Sequence, residues 1–182
     1  MPRPPLARER VLDAYASLVI ADGERAATLD ATAKAAGVSK GGLLYHFGSK
    51  DELTAGLLER LARLVDEDLV RMSADPAGPV AYYIRTSVME GEELDRALLA
   101  ASRLAQGGST AAADALRHTR RLWADAIRPH VHDTAGLDLV MLLGDGLYFN
   151  NSLDVNGPHR LVPHGHELDD LIALVLRTVI PS

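Results

Sequence analysis

The sequence predicts an all-α protein of about nine helices, and three observations predict it. Apolar residues recur at i, i+3, i+4 and i+7 in almost every segment between glycine and proline breaks. No stretch alternates apolar and polar residues for long enough to make a strand. The 182 residues are 47% hydrophobic and 24% charged, which suits one globular unit or two small ones with a real core.

Taken in order, a first helix is expected over about 7–21, burying Val11, Leu12, Tyr15, Leu18 and Val19, with Gly23 just beyond its end. Thr28 can cap a short second helix with Ala33 and Ala36 on its core side, and Gly37 allows a sharp turn after it. Ser39 can cap a third helix ending near Phe47, with Leu43 and Phe47 facing inward. Ser49-Lys50-Asp51-Glu52 has the form of a capping box. The fourth helix it opens carries Leu53, Leu57, Leu61, Leu64, Val65 and Met72 as a stripe until Asp75-Pro76-Ala77-Gly78-Pro79 stops it. Further helices are expected at about 80–90, 93–106, 110–128, 136–152 and 167–179, with the main loops at Gly107-Gly108 and 153–166.

Composition removes several function classes. The chain has no cysteine, which excludes disulfides, thiolate zinc sites, iron–sulfur clusters and a cysteine nucleophile. No apolar run is long enough for a spanning helix and no signal peptide precedes the first helix, so a cytoplasmic protein with no membrane partner is expected. The net charge of −6 is unevenly spread. Residues 1–50 carry seven basic side chains, including all three lysines, against five acidic ones, whereas the remainder holds twelve basic and twenty acidic. A slightly basic N-terminal module is thus joined to an acidic body.

Two short helices about a tight glycine turn, between Thr28 and Lys50, make a helix-turn-helix whose second helix can enter the major groove of DNA. With Leu43 and Phe47 inward, Lys40, Gly41, Gly42, Leu44, Tyr45 and His46 lie on or near the outward face. A phenol, an imidazole, lysines and the amides of helix starts capped by Thr28 and Ser39 are donors, and phosphate oxygens are acceptors only. Two consecutive glycines each cost a helix about 1 kcal/mol relative to alanine. Close approach of backbone to DNA would compensate, whereas a frayed surface helix is the bland alternative.

The run GVSKGGLLYHFGSKDEL, Gly37 to Leu53, resembles the signature of the tetracycline-repressor (TetR) family of bacterial regulators, with the strong likeness covering roughly residues 8–55. The resemblance implies that Tyr45, His46 and Lys50 grip phosphates, that Lys40 and Gly41 open a recognition helix near base edges, and that Thr28 marks a helix start aimed at the backbone. Two positions depart from it. Ala31-Thr32-Ala33 replaces an acidic residue and a branched aliphatic, and Leu44 stands where an aromatic is frequent. Thr32 is expected to turn its methyl to the core and bond its hydroxyl back to a preceding carbonyl. Leu44 gives up a phosphate donor and can meet a thymine methyl.

In the body, Tyr82, Tyr83, Trp123, Tyr148 and Phe149 could converge on a pocket with Met89, Leu122, Asp145 and Asn151 as further lining. Aromatics at helical spacing also serve as plain core, and both readings stand. The segment from Leu137 to Tyr148 is apolar on nearly every face, which asks for burial on two sides. A homodimer is expected, with Leu139, Leu143 and Gly146 of that helix and Leu168, Leu171, Ile172, Val175 and Val179 of the last one pairing with their two-fold mates, as the resemblance also implies. A monomer with a buried central helix is the alternative. His130, His132, His159, His164 and His166 sit in or beside loops at spacings that do not share a helix face, so no metal site and no cofactor are expected.

The functional division expected is a DNA-binding domain over 1–52 and an effector-binding and dimerisation domain over 53–182. The function expected is a ligand-responsive regulator, a repressor released from a palindromic operator in double-stranded DNA by an unidentified small-molecule effector. The alternatives are an effector-independent DNA-binding factor or activator, and a helical small-molecule-binding protein or enzyme. The last lacks a nucleophile with its base and orienting group.

Overall fold

The computed structural model describes residues 6–153 and 161–180. Among them the α-helices are α1 (Leu6–Asp22), α2 (Leu29–Ala35), α3 (Lys40–His46), α4 (Lys50–Ala74), α5 (Pro79–Thr86), α6 (Glu93–Gln106), α7 (Thr110–Ile127), α8 (Thr134–Leu153) and α9 (His166–Val179), with a 3-10 turn at Arg128–His130. The architecture is all-α, as expected. His159 lies outside the described residues.

The starts of the early helices are set by side-chain oxygens that accept otherwise unpaired amide protons. Thr28 Oγ1 accepts from the Ala31 amide at 3.1 Å and Ser39 Oγ from the Gly42 amide at 3.0 Å. At α4, Ser49 Oγ accepts from the Glu52 amide at 3.1 Å, and the Glu52 carboxylate reaches one residue further back than the usual box, to the Gly48 amide at 2.7 Å. Gly37, at φ +63°, turns the chain between α2 and α3 in a conformation a side chain would strain. α5 ends at Thr86, short of the expected 90. The Thr86 and Ser87 hydroxyls donate back to the Tyr82 and Tyr83 carbonyls at 3.1 and 2.8 Å, helping to close the helix there.

The chain packs as two units. One runs through Leu64 and takes in Glu93–His118; the other holds Val65–Glu92 and continues from Thr119. Packing therefore divides α4 and α7 internally, and α6 belongs with the N-terminal helices. In the first unit Val11, Leu12, Tyr15 and Val19 of α1 meet Leu43, Phe47, Leu53 and Leu57, together with Ala100 and Leu104 of α6 and Ala112 of α7. In the second, α5 lies against both α8 and α9. Its core joins Val80 to Ile84 with Met72, Ile127, Val140, Met141, Leu147 and the inner stripe of α9.

Thr32 is completely buried on α2, and its hydroxyl has no hydrogen-bond partner. The expected bond to a preceding carbonyl is not made, which leaves a desolvated hydroxyl where a branched aliphatic would fit. Thr32→Val keeps the shape and removes that penalty, so it should raise the unfolding free energy by about 1–2 kcal/mol in urea titration. An unchanged or lower midpoint would show that the hydroxyl is satisfied.

The last helix turns much of its expected seam stripe toward its own chain. Leu168, Ile172, Val175 and Val179 are at most 8% exposed and pack within their own chain, because α9 turns this stripe onto α5 and α8. Leu143 and Leu171 are half-buried against the same core, whereas Leu139 is 43% exposed. The outward apolar residues of α8 are Leu139, Leu142, Phe149 and Leu153, with Gly146 completing a spacing of three and four residues and open space above it.

Candidate nucleic-acid interface

Helix α3 is anchored by two side chains and presents the rest. Leu43 is fully buried and Phe47, its C-terminal cap, is 3% exposed. Tyr45, by contrast, is 79% exposed and Leu44 40%. Its ring stands edge-on to the half-buried His46 imidazole, with centroids 5.1 Å apart. Gly41 is exposed, and a Cβ built there would meet nothing of this chain within 4 Å. Internal packing does not require that glycine.

Phe47 in turn depends on a glycine that the sequence reading did not single out. A Cβ on Gly56 of α4 would lie 2.7 Å from Phe47 Cε1, so α4 can hold the ring only because residue 56 has no side chain. The Arg8 guanidinium caps the ring, 5.3 Å from its centroid. Thus α1 and α4 together set the inner end of α3.

The lysines expected to face DNA are paired within the unit. The Lys40 ammonium lies 2.9 and 3.1 Å from the two carboxylate oxygens of Asp30 on α2. Lys50 donates to the Glu24 carbonyl and lies 3.5 Å from Glu24 Oε1. Arg60 of α4, only 8% exposed, ties the same unit together. Its guanidinium donates to Asp13 Oδ1 on α1 at 2.7 Å and through Nε to Glu93 Oε1 on α6 at 2.7 Å, with Glu9 Oε2 at 3.5 Å. A cation so far removed from water requires such carboxylates around it.

In the second unit, the expected aromatic pocket residues divide. Tyr82, Tyr83 and Trp123 come together, the Tyr83 and Trp123 ring centroids being 5.8 Å apart. At their centre is Asp68, a 4% exposed carboxylate that the sequence reading passed over. It accepts from the Tyr82 hydroxyl at 2.7 Å and from the Trp123 indole at 2.9 Å, and Arg71 Nε donates to the Tyr82 oxygen at 3.3 Å. Burial, and after it the Asp68 carboxylate, push the Tyr82 pKa up, which keeps the phenol a donor. Burial likewise raises that of Tyr83.

Gly144 of α8 permits this arrangement, since a Cβ there would fall 2.4 Å from Tyr83 Cε1. Of the remaining expected lining, Leu122, Met89 and Tyr148 are half-buried, and the Asn151 amide donates to the Met89 carbonyl at 3.1 Å. Asp145 pairs with Arg120 at 2.9 Å, both about half exposed. Phe149 is 61% exposed and does not join the cluster, because its position on α8 falls on the outward stripe with Leu142 and Leu153.

One of the loop histidines, His132, ties the start of α8 to the end of α9. His132 Nε2 lies 2.9 Å from the Thr178 carbonyl and Nδ1 3.0 Å from the Asp133 carboxylate. Asp133 accepts from the Gly136 amide at the start of α8, and that bond, followed in importance by the nearby imidazole, holds its carboxyl below the usual range. Among the described residues, no group of three or more His, Asp and Glu is placed to hold a metal ion, and no helix is long and apolar enough to cross a membrane.

The family of bacterial regulatory proteins called tetR matches residues 11–57, which span α1 to the first turns of α4. No curated protein matches the sequence. Among solved structures, a transcriptional regulator from Rhodococcus sp. Rha1 is 25% identical, with 96% of this chain and 98% of that one aligned and a TM-score of 0.64. NalD of Pseudomonas aeruginosa, the secondary repressor of the MexAB-OprM multidrug efflux pump, is 22% identical over 97% of this chain and 96% of its own, with a TM-score of 0.60. A regulator from Saccharomonospora viridis, solved in complex with choline, is 18% identical over 97% and 98%, with a TM-score of 0.64. A capped helix-turn-helix held by Leu43 and Phe47 is matched in register by the tetR family over residues 11–57, and the all-helical body that follows shares the fold of solved transcriptional regulators to which this chain is similar.

Proposed function

We propose that the protein is a ligand-responsive repressor that binds a palindromic operator as a homodimer and leaves it when a small-molecule effector enters the helical body. The DNA-reading part is residues 1–52, with α3 in the major groove, and residues 53–182 bind the effector and pair the two chains. Tyr45, His46 and Lys50 would hold phosphates. Lys40, Gly41, Gly42 and Leu44 would lie toward base edges, and the caps at Thr28 and Ser39 fix the two helices that frame them. The observation that carries this reading is Gly41, an exposed helical glycine that nothing inside the chain calls for.

Two copies would join through the outward stripe of α8, from Leu139 to Leu153, flanked by the exposed Leu174 of α9. The 3-4 spacing of Leu139, Leu142, Gly146, Phe149 and Leu153 is that of a helix seam packed on a like helix. Effector recognition is assigned to the region of Tyr82, Tyr83, Trp123 and Tyr148, where Asp68 supplies a buried acceptor. The solved relatives support the class: NalD is a repressor, and the regulator from Saccharomonospora viridis holds a small organic molecule. Coupling of about 1–3 kcal/mol between effector and DNA would change operator affinity about 5–150-fold, and DNA must weaken the effector by the same factor.

Gly41→Ala tests the reading because stability and binding should move in opposite directions. The variant should melt no lower than the parent, gaining up to about 1 kcal/mol of helix propensity. Its affinity for an operator selected from random duplexes should fall about tenfold or more, since a methyl group would stand between α3 and the groove. Unchanged affinity in fluorescence anisotropy would remove α3 from the interface.

A further inference from the structure

We infer that Asp30 and Glu24 are built-in competitors for the DNA backbone, which hold Lys40 and Lys50 paired and thereby keep binding to non-cognate duplex weak. The inference rests on the reading of those two lysines as DNA contacts. Both pairs are made by tertiary structure, not by neighbouring turns of one helix. Asp30 sits in the first turn of α2 and Lys40 at the start of α3, with both carboxylate oxygens within 3.1 Å of the ammonium. Glu24 follows α1 and Lys50 opens α4, with the Glu24 carbonyl and carboxylate both turned to the ammonium.

Only three lysines occur in the chain, all within the first 50 residues. Two of them therefore enter any encounter with DNA already neutralised, and Lys34 is the third. A phosphate that approaches Lys40 also approaches the 71% exposed Asp30 carboxylate, and must either displace it or accept a like charge beside it. Random duplex offers only phosphate, so that cost is borne in full. A cognate site adds contacts to base edges, to which Lys40 can turn while Asp30 still orients it. The pair would thus subtract more from non-specific than from specific binding.

Because an exposed pair of this kind is a weak interaction, its removal should change binding by about two- to fivefold and no more. The probe is a fluorescein-labelled duplex of random sequence, titrated over a series of salt concentrations with the full chain. Asp30→Asn should bind it about two- to fivefold more tightly at low salt, and the slope of log affinity against log salt should steepen by up to ~1. Asp30→Glu, which can rebuild the pair, should stay near the parent. Glu24→Gln should act in the same direction but less, since the carbonyl of residue 24 still accepts from Lys50.

The Lys40→Ala background separates release of this lysine from a mere change in net charge. There Asp30→Asn should gain nothing, and a gain of the same size would overturn the inference. So would unchanged or weaker binding by Asp30→Asn with an intact melting transition. If Lys40→Ala alone weakens binding while Asp30→Asn is silent, the competitor role fails and the lysine contact survives. If Lys40→Ala alone changes nothing, the contact itself is refuted and the role of Asp30 falls with it.

Discussion

Gly56→Ala should lower the stability of the N-terminal unit by a net of up to about 2 kcal/mol and weaken duplex binding by about tenfold. The added Cβ would stand 2.7 Å from Phe47 Cε1, inside any acceptable contact, and a tight 3.3 Å from Cζ. The ring has nowhere to retreat, being 3% exposed and covered by the Arg8 guanidinium. Overpacking of this kind costs about 1–3 kcal/mol, and better helix propensity in α4 returns only about 1. The strain would fall on the residue that ends α3, so the helix that presents Tyr45 and Lys40 should shift with it. Urea unfolding and anisotropy on one duplex read both effects, and combining Gly56→Ala with Phe47→Leu should restore part of each. A Gly56→Ala protein as stable and as active as the parent would show that α4 does not set the position of α3.

Asp68→Ala should be more damaging to the second unit, by about 2–4 kcal/mol. Removing the carboxylate leaves the Tyr82 hydroxyl and the Trp123 indole N–H without the acceptor they share. Each buried donor so orphaned costs about 1–3 kcal/mol, and the two losses are not fully additive. Asp68→Asn should fall between the parent and alanine, because its amide oxygen can serve one donor while its NH2 faces the other. Trp123 is the only tryptophan, so its emission reports the loss of the indole bond directly. Equal denaturant midpoints for all three proteins would mean that the carboxylate is not the centre of this cluster.

The residues behind these two effects mark where the sequence was readable and where it was not. Caps and turns were legible because they depend on neighbours in the chain: Thr28, Ser39, Ser49 and Gly37 could each be assigned from the residues next to them. The core faces of α1, α3 and α4 followed from spacing for the same reason. Asp68 and Arg60 were missed although spacing also pointed to them. Leu57, Leu61, Leu64, Val65 and Met72 define the inner stripe of α4, and residues 60 and 68 fall on it. Charged residues at core positions signal a buried network, but their partners on α1, α5, α6 and α7 come from remote parts of the chain.

The α9 stripe was ambiguous for a related reason. The periodicity of α9 shows that one face is covered, not what covers it, and here the cover is α5 and α8 of the same chain. Leu142, Phe149 and Leu153 stayed out of the expected seam because α8 is apolar on nearly every side, so its pattern does not say which side faces its own chain. Gly56 carries no sequence signal beyond being a glycine within a helix, and Gly144, a small residue on α8, says only that another helix can come close. Their meaning lies in the rings of Phe47 and Tyr83 that approach them.

The central claim, that two copies of α3 read DNA together, is tested most directly by selecting duplexes from a random library with the purified protein and mapping protection on the enriched sequence. The account predicts an inverted repeat whose half-sites are centred about one helical turn, 34–36 Å, or a multiple of it apart, with protection lost when Leu142→Asp breaks the α8 stripe. Enrichment of no sequence, or of a single asymmetric site protected equally by the parent and Leu142→Asp, would contradict it.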